Sequence, residues 1–333
     1  MKNSKLVLAT RPSPTISADI FRLEAEQVSP LSDGQFLIKN HYLSVDPAMR
    51  GWVTDMPNYI PPVEIGAVMR SFAVGEVVDS KHPDYTVGEF VYGLFGWQEF
   101  TISDGSDIER KVNPEDGPLS INLHVLGMTG ATAWFGLTEI GDPKKGETVV
   151  VSTAAGAVGS MVGQIAKARG CRTVGITGSD EKATRCLKEF GYDAVLNYKT
   201  ATDLAGDLAN ACPDGVDVYF DNVSGPITDT VMNLFNIGAR MTVCGVIGIS
   251  PDHVDGPRVS RTMLVKRAKM QGFLIFDHMH RLSEAVSGLL PLYKAGKLSF
   301  SEEVFEGLLS APKGLESLLA GTNQGKVIVK LEG

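Results

Sequence analysis

The sequence predicts an α/β protein that combines a doubly wound parallel sheet with a β-rich, barrel-like unit. The organisation changes near residue 125, after which apolar runs alternate with segments that are mostly long enough for a helix. Before this point, short β-type runs such as 36–38, 74–78 and 90–93 are broken by proline and glycine. A glycine-containing turn between the first apolar run and a helical segment supports the same fold class.

Six apolar runs are the predicted strands of the parallel sheet. They are 148–153, 172–177, 194–196, 216–221, 240–246 and 270–275. Between the first two, Val162, Ile165 and Ala166 fall on one helical face. Helices are also predicted at 181–190 and 203–212. Six such runs with intervening helices indicate a doubly wound, Rossmann-type sheet.

The end of the chain is expected to return to the first unit. A strand-like run at 326–331 follows a predicted helix near 283–294. We therefore expect one discontinuous domain, made of 1–124 with 295–333, and a second domain at 125–294.

Composition limits the classes of partner and the location. The 333 residues include 31 Lys and Arg against 39 Asp and Glu, so the formal net charge is −8. An acidic protein of this kind is not expected to bind nucleic acid or an anionic membrane. No apolar run approaches the roughly 18 residues of a membrane span, and the apolar stretch 6–9 is too short for a signal peptide. The expected location is the cytoplasm.

The four cysteines predict neither a disulfide framework nor a metal site. They are Cys171, Cys186, Cys212 and Cys244, and the closest two are 15 residues apart. None has the spacing of a structural zinc site, and the six histidines are scattered as well. We expect small buried thiols in a reducing compartment and no protein-bound metal.

A dinucleotide-binding turn is predicted where the first strand of the sheet meets its helix. Gly156 allows the backbone to approach a pyrophosphate, and Gly159 allows the helix to pack closely on the strand. The start of the helix offers N–H groups and a positive dipole end to the phosphates. Ala154 stands where such turns usually have their first glycine.

The second strand predicts NADP(H) as the cofactor. An NAD site needs a carboxylate at the tip of this strand, and the run 175–179 has none. Ser179 and Lys182 follow, a hydroxyl and a cation suited to a 2′-phosphate. Asp180 is an alternative ligand for the ribose, and Lys182 also fits a solvated helix lysine.

Several fragments, ordered along nearly the whole chain, resemble one family. They are 43–51 (LSVDPAMRG), 126–130 (LGMTG), 154–159 (AAGAVG), 178–182 (GSDEK), 197–200 (NYKT), 221–223 (DNV), 244–245 (CG), 271–273 (QGF) and 321–326 (GTNQGK). The chain resembles the zinc-independent medium-chain dehydrogenase/reductases, and among them the NADPH-dependent alkenal/one reductases, the group of prostaglandin reductases and bacterial curcumin reductase. The resemblance implies a GroES-like substrate and catalytic domain at 1–124 and 295–333, and a Rossmann dinucleotide-binding domain at 125–294.

The resemblance also implies which residues bind the cofactor. Lys182 and Tyr198 would hold the adenosine 2′-phosphate, and Asn222 and Asn323 would lie beside the cofactor. The full predicted set is Ala155, Gly156, Ala157, Val158, Gly178, Ser179, Lys182, Tyr198, Asn222, Cys244, Gly245, Val246, Phe273, Leu274, Ile275 and Asn323. In this set, 244–246 and 273–275 would flank the nicotinamide, largely through backbone groups. Tyr198 also fits a surface aromatic, and Cys244 a core residue without a catalytic role.

The substrate side departs from the family at two places. Relatives often carry tyrosine at the positions of Ala48 and of Ser250-Pro251, so the proton donor is left open. Tyr59, in a proline-rich loop, is the predicted catalytic hydroxyl, although it equally fits a packing aromatic.

Three further residues are predicted on the substrate side. Arg50 would reach the cofactor or the substrate carbonyl, or else form a surface salt bridge. Trp52 and Met128 are predicted to line an apolar substrate pocket together with Ala48. Phe273 is a further candidate for its apolar wall.

Zinc-dependent relatives need an early cysteine and a Gly-His-Glu segment, whereas residues 1–124 contain no cysteine and the corresponding stretch, 64–67, reads Glu-Ile-Gly-Ala. Zinc-type alcohol oxidation is therefore disfavoured. The hypothesis is NADPH-dependent reduction of the C=C bond of an α,β-unsaturated ketone or aldehyde.

Other functions and assemblies remain open. The alternatives are quinone reduction with the same cofactor and a protein that binds NADPH without turnover. A Tyr-x-x-x-Lys match at Tyr293 and Lys297 is interpreted as a helix end rather than a short-chain dehydrogenase site. By resemblance, a homodimer formed through the run 270–275 is expected.

Overall fold

The computed structural model describes residues 1–13, 15–56, 58–247 and 256–331, so the departure at Ser250-Pro251 lies outside the described residues. The chain divides into two compact units, Met1–His124 with Ser301–Gly333 and Val125–Phe300. The second boundary of these units follows Phe300, whereas the sequence analysis places it after residue 294.

The described residues contain the following strands and helices. The strands are β1 Lys2–Leu8, β2 Phe21–Gln27, β3 Phe36–Ser44, β4 Ala73–Ser80, β5 Phe90–Gly93, β6 Phe100–Ser103, β7 Ile108–Val112, β8 Thr148–Ser152, β9 Arg172–Thr177, β10 Ala194–Asn197, β11 Val216–Asp221, β12 Phe235–Val243, β13 Lys269–Gly272, β14 Glu302–Glu306 and β15 Lys326–Lys330. The α-helices are α1 Met49–Trp52, α2 Met128–Phe135, α3 Ala157–Ala168, α4 Asp180–Lys188, α5 Leu204–Ala211, α6 Pro226–Met232, α7 Ser260–Lys266, α8 Leu282–Lys294 and α9 Ala311–Ala320.

The first unit is β-rich. Its main sheet runs in the order β14-β15-β3-β4-β5-β7, β6 also pairs with β3, and β1 and β2 form a separate two-stranded sheet. All pairs are antiparallel except β14 with β15. β15 pairs with β3 although almost 300 residues of chain separate them, because the C-terminal segment returns to this unit.

The second unit contains a six-stranded parallel sheet in the order β10-β9-β8-β11-β12-β13. Numbered from its own first strand, this is the order 3-2-1-4-5-6 of a doubly wound dinucleotide-binding sheet. Val149, Val150 and Val151 of β8 are fully buried, as expected for a central strand covered on both faces. The predicted fold class is confirmed.

The helix after β8 packs through the face that its sequence predicts. Val162, Ile165 and Ala166 of α3 are buried. At Gly163 a Cβ atom would lie 2.1 Å from the ring of Tyr192, so only glycine lets the helix lie this close to that ring. The Tyr192 hydroxyl donates a hydrogen bond of 2.7 Å to the carbonyl of Gly159 and fixes the start of the helix.

The helices predicted at 181–190, 203–212 and near 283–294 correspond to α4, α5 and α8 and differ from them by at most two residues at each end. α8 ends at Lys294, and Gly296 follows with a φ of +69°, which is the helix end predicted for the Tyr293 segment. No described helix is long and apolar enough to cross a membrane.

His124, the last residue of the N-terminal segment of the first unit, is fully buried. Burial, and then the charge of Lys326, lower its pKa from 6.5 to about 3. Between these values the unfolded chain binds a proton that the folded chain does not, so stability falls as the pH falls.

We expect His124 alone to reduce the free energy of unfolding by about 1.6 kcal/mol between pH 6.5 and pH 5, because the slope rises over this interval from half of its limit of about 1.4 kcal/mol per pH unit toward that limit. The measurement is urea denaturation at both pH values for the wild type and His124→Gln. The variant should lose about this much less stability than the wild type; equal losses in both proteins would contradict the assignment.

Candidate functional site

The carboxyl ends of the six parallel strands lie along one edge of the sheet, where ligands bind in doubly wound folds. Ser152, Thr177, Asn197, Asp221 and Val243 end the first five strands of this sheet in chain order. All predicted cofactor residues except Asn323 follow one of these ends or the end of β13.

The turn between β8 and α3 is tight and depends on glycine. Thr153 has a φ of +53°, a strained conformation for a β-branched residue. A Cβ atom at Gly159 would lie 2.3 Å from the carbonyl oxygen of Thr153, so the helix can start this close to the strand only with glycine there. Gly156 is the N-cap residue, and Ala157 and Val158 form the first turn of α3.

The substitution of the first glycine by Ala154 has a structural explanation. Ala154 is fully buried, and a Cβ atom on Gly175 of β9 would lie 2.8 Å from the Cβ of Ala154. The missing side chain at Gly175 therefore provides the space that Ala154 fills. The turn keeps its tight geometry through a glycine on the neighbouring strand.

The starts of α3 and α4 differ in a way that favours a phosphate at α3. Among the described residues no side chain caps α3, and its first turn has no acidic residue. The first-turn N–H groups lack partners within the helix and carry the positive end of its dipole. In α4, by contrast, Ser179 caps the helix and the first turn is acidic. The residues present at α3 fit a pyrophosphate.

The predicted 2′-phosphate residues lie together at the ends of β9 and β10. The ring of Tyr198 lies over Gly178, where a Cβ atom would be 3.2 Å from Cε1 and 3.3 Å from Oη of the tyrosine. Ser179 Oγ accepts the N–H of half-buried Lys182 at 3.2 Å, and such a hydroxyl keeps its own proton to donate. The cluster offers hydroxyl groups and a cation, the donors that a phosphate monoester requires.

Asp180, the alternative ribose ligand, has a partner in the protein. Its Oδ1 accepts a hydrogen bond of 2.7 Å from the side-chain amide of Asn197. The carboxylate is in the first turn of α4, where it complements the helix dipole. This arrangement supports a structural role for Asp180.

Sequence reasoning assigned no role to Asp221, which ends β11 fully buried. Its carboxylate accepts six hydrogen bonds from Ser152, Tyr219, Val223, Ser224 and Thr228. In the sequence, only its position at the end of a predicted parallel strand, within the fragment 221–223 (DNV), could have indicated a role for it.

The residues predicted beside the nicotinamide lie around Asp221. Asn222 donates through its side chain to the carbonyl of Ser152 at 2.7 Å. The N–H groups of Cys244 and Gly245 both donate to the carbonyl of Asp221, at 2.8 and 3.1 Å. Burial, with the charge of Asp221 as the next cause, raises the pKa of Cys244 to about 12, so this thiol stays protonated at neutral pH. Val246 is 56 % exposed.

The segment 273–275 follows β13 and is positioned by an aromatic ring. At Gly136 a Cβ atom would lie 2.8 Å from the rings of both Phe220 and Phe273, so the absence of a side chain there makes room for Phe273. Gly136 begins a π-helical turn after α2, and its carbonyl accepts the hydroxyl of Thr242 at 2.9 Å. Leu274 remains 37 % exposed.

In the first unit, Tyr59 lies in a loop that is attached to the fragment 43–51. A Cβ atom on Gly51 would lie 2.3 Å from the side-chain nitrogen of Asn58, so glycine lets the loop pack on α1. Arg70 donates to the carbonyl of Pro61 at 3.0 Å and places its guanidinium 5.4 Å from the ring centre of Trp52.

The environment of Tyr59 keeps its phenol protonated. Burial raises its pKa above 10.0, a hydrogen bond with Trp52 and the charge of Arg70 oppose this, and the charge of Asp46 adds to it. The hydroxyl is a neutral proton donor near pH 7. Its side chain is 46 % exposed, which leaves one face open.

The other predicted substrate residues have different positions. Trp52 is fully buried and supports the Tyr59 loop rather than presenting a surface. Arg50 is exposed and has no ion pair among the described residues, and Ala48 is half-buried. Met128 begins α2 in the second unit.

Asn323 lies in the first unit, where its amide donates to the carbonyl of Gly325 at 2.7 Å. Its neighbour Lys326 was not assigned a role from sequence. The Lys326 ammonium forms a buried ion pair of 3.0 Å with Asp46, and both side chains are 2 % exposed. This pair joins two of the family-like fragments, 43–51 and 321–326.

The described residues contain no group of three or more His, Cys, Asp or Glu side chains that could hold a metal ion. The four cysteines are free thiols, three buried and Cys244 half-buried.

Comparisons with known proteins match this chain along its length. A family model for the N-terminal domain of oxidoreductase matches residues 4–111, and one described as zinc-binding dehydrogenase matches residues 157–293. The NADPH-dependent curcumin reductase of Escherichia coli (strain K12) is 42 % identical over 100 % of this chain and 98 % of its own. The NADP(+)-dependent 2-alkenal reductase of Nicotiana tabacum is 39 % identical, over 90 % and 88 % of the two chains. The crystal structure of CurA in complex with NADPH from Vibrio vulnificus aligns with a TM-score of 0.92 and 40 % identity over 99 % of both chains.

Proposed function

Since the chain belongs to the zinc-independent medium-chain dehydrogenase/reductases, in the branch of the NADPH-dependent alkenal and enone reductases, we propose that it reduces the C=C bond of α,β-unsaturated ketones or aldehydes with NADPH. The observation that carries the proposal is the edge of the parallel sheet, where the uncapped start of α3 and the Ser179, Lys182 and Tyr198 cluster occur together. Bound NADPH supplies a hydride to the β-carbon of the substrate.

The chain's own residues bind and orient this cofactor. The N–H groups at the start of α3, around Gly156, Ala157 and Val158, bind the pyrophosphate. Ser179, Lys182 and Tyr198 bind the 2′-phosphate. The polar backbone groups of 244–246 and 273–275, with Asn222, hold the nicotinamide half, and Ala155 and Gly178 complete the site.

The substrate carbonyl requires a hydrogen-bond donor, because reduction of an enone places negative charge on its oxygen. Tyr59 is the proposed donor, since its hydroxyl is neutral near pH 7 and partly exposed. Trp52 and Arg70 hold the hydroxyl by a hydrogen bond and a nearby charge. Arg50 is a second donor to the same oxygen. Ala48 is proposed as an apolar substrate contact in the first unit, and Met128 as one in the second.

Tyr59→Phe removes the proposed donor and keeps the ring. We expect kcat for an enone to fall about 10- to 100-fold, in the range of a lost oxyanion or general-acid contact, while NADPH affinity is retained. Steady-state kinetics with separate NADPH titration measures both. Tyr42→Phe, on β3 of the same unit, is the matched control; a kcat within twofold of the wild type for Tyr59→Phe would reject the role.

The activity test offers three substrate classes to the holoenzyme. NADPH oxidation is followed with an enone, a quinone and a saturated aldehyde, each with and without a chelator. Saturated ketone formed from the enone, with a rate unaffected by the chelator, supports the proposal. Turnover of the quinone alone indicates quinone reduction, and no turnover of any acceptor indicates a binding protein; either outcome rejects enone reduction.

We propose further that the chain forms a homodimer through the outer edge of β13, which pairs with no other strand among the described residues. All four residues of this strand are exposed, and Leu264, Val265 and Met270 expose 77, 48 and 40 % of their surface. An unpaired strand edge beside apolar side chains favours pairing with a second copy. Met270→Lys should shift the sedimentation coefficient from dimer to monomer; a wild type that sediments as a monomer would reject the dimer.

We also propose a cytoplasmic location for the chain and a small molecule as its partner. The free cysteines favour a reducing compartment such as the cytoplasm, and the net charge of −8 disfavours nucleic acid and anionic membrane as partners. Fractionation of cells that produce the chain tests the location directly; recovery in the membrane fraction would contradict it.

A further inference from the structure

We propose that Asp221 is a positioning residue that holds the carboxyl ends of three strands in the geometry required for the nicotinamide half of the cofactor. The proposal rests on the proposed cofactor site and assigns a role to a residue that neither touches the substrate nor belongs to the predicted cofactor set.

Hydroxyl and backbone N–H donors surround both oxygens of the Asp221 carboxylate. Oδ1 accepts from Ser152 Oγ at 3.1 Å, Tyr219 Oη at 2.9 Å and the N–H groups of Val223 and Ser224 at 3.0 and 2.9 Å. Oδ2 accepts from Thr228 Oγ1 at 2.7 Å and Ser224 Oγ at 3.4 Å. A carboxylate offers roughly four lone-pair sites, so these donors use all of its acceptor capacity and some of them share a site.

The groups bonded to Asp221 belong to the ends of neighbouring strands. Ser152 ends β8, and its hydroxyl also accepts the N–H of Asn222 at 2.8 Å. The backbone carbonyl of Asp221 accepts the N–H groups of Cys244 and Gly245, which follow β12. The Asp221 side chain therefore connects the ends of β8 and β11, while its backbone carbonyl binds the residues after β12, and three predicted cofactor residues lie within these connections.

The carboxylate also holds the loop after β11 in an unusual backbone conformation. Ser224 and Gly225 have φ values of +62° and +72°, so two successive residues are left-handed and one of them is not glycine. The N–H of Ser224 donates to the carboxylate in this conformation. A Cβ atom on Gly245 would lie 2.8 Å from the carbonyl oxygen of Asn222, so the two loops touch and a shift of one moves the other.

A matched residue occurs at the opposite end of the same strand. Asp217 of β11 accepts the N–H of Thr148 and the side-chain amide of Asn236, each at 2.8 Å. It links β8 and β12 at the amino edge of the sheet as Asp221 does at the carboxyl edge. Substitution of Asp217, which is half-buried, therefore reports the cost of losing a side-chain link on this strand without disturbing the proposed cofactor edge.

The test compares Asp221→Ala, Asp221→Asn and Asp217→Ala with the wild type. Hydrogen exchange of the apo protein should show faster exchange at the amides of Val223 and Ser224 in Asp221→Ala only. NADPH titration by fluorescence should show a dissociation constant about tenfold higher or more in that variant, the scale of a small misplacement of binding groups. Asp221→Asn should recover part of both losses, because its amide oxygen still accepts the two N–H groups.

The results that would overturn the proposal are equally specific. They are a dissociation constant and amide exchange within twofold of the wild type in Asp221→Ala, or an equal loss of NADPH affinity in Asp217→Ala. If Asp221→Ala does not fold, Ser152→Ala decides, since it cuts the connection to β8; unchanged NADPH affinity there also overturns the proposal. These readouts need no substrate, so a chain that binds NADPH but reduces no enone rejects the proposed function and leaves this inference intact.

Discussion

Lys326→Met is expected to lower the free energy of unfolding by about 3–5 kcal/mol, the cost of leaving a buried charge without its partner. The Lys326 ammonium donates to the carbonyls of Val45 and Val327 at 2.6 and 3.0 Å and to Asp46 Oδ1 at 3.0 Å, which uses all three of its N–H donors. Ser44 donates to the other oxygen of Asp46. Methionine fills the space but leaves the Asp46 carboxylate buried and uncompensated.

The measurement is urea denaturation of Lys326→Met at pH 7, followed by circular dichroism. Lys330→Met is the matched control, because Lys330 is exposed on the same strand and its replacement should cost less than about 0.5 kcal/mol. Asp46→Asn added to Lys326→Met should recover part of the loss, since it removes the unpaired charge. A loss of less than 1 kcal/mol in Lys326→Met, or no recovery in the double variant, would contradict this account of the ion pair.

Lys182→Ala is expected to weaken NADPH binding about 10- to 100-fold and NADH binding by less than about twofold, because only NADPH carries the 2′-phosphate that we propose the ammonium binds. The lysine is half-buried at the start of α4, where its N–H donates to the hydroxyl of Ser179. Titration of both dinucleotides by fluorescence gives the two dissociation constants.

Lys188→Ala provides the control for Lys182→Ala, since Lys188 is exposed in the last turn of the same helix. It should leave both dissociation constants unchanged. Equal weakening of NADPH and NADH by Lys182→Ala would remove the reason for placing the 2′-phosphate at this cluster.

Much of the fold could be predicted because it depends on local patterns. The central strands β8 and β9 of the parallel sheet are almost entirely buried, since both faces are covered, and Gly159 identifies the turn that follows β8. The returning strand at 326–330 was predicted as well. Each of these features depends on residues that are contiguous in the sequence.

The parts that sequence reasoning missed depend on contacts between distant residues. The Asp46–Lys326 pair spans 280 residues, and the space for Ala154 comes from Gly175 on another strand. No local periodicity reports such pairings. Asp221 is a third case, because a carboxylate at the end of a strand suits a ligand contact and a structural network equally until its donors are known.

Trp52 shows the same difference on the substrate side. From sequence, an apolar residue next to a family-like fragment suits a pocket wall, and its side chain is in fact fully buried against the Tyr59 loop. An aromatic side chain at such a position serves either purpose, and only packing distinguishes the two. The role proposed for Tyr59 depends on this packing.

The most direct test of the central claim is the position of deuterium in the product. An enone is reduced by the holoenzyme with NADPH deuterated at the transferring carbon, and the product is analysed by NMR and mass spectrometry. Hydride transfer to the β-carbon without a metal should give a saturated ketone with one deuterium on the former β-carbon, at an unchanged rate when a chelator is present. Deuterium on the carbonyl carbon of an allylic alcohol would contradict it.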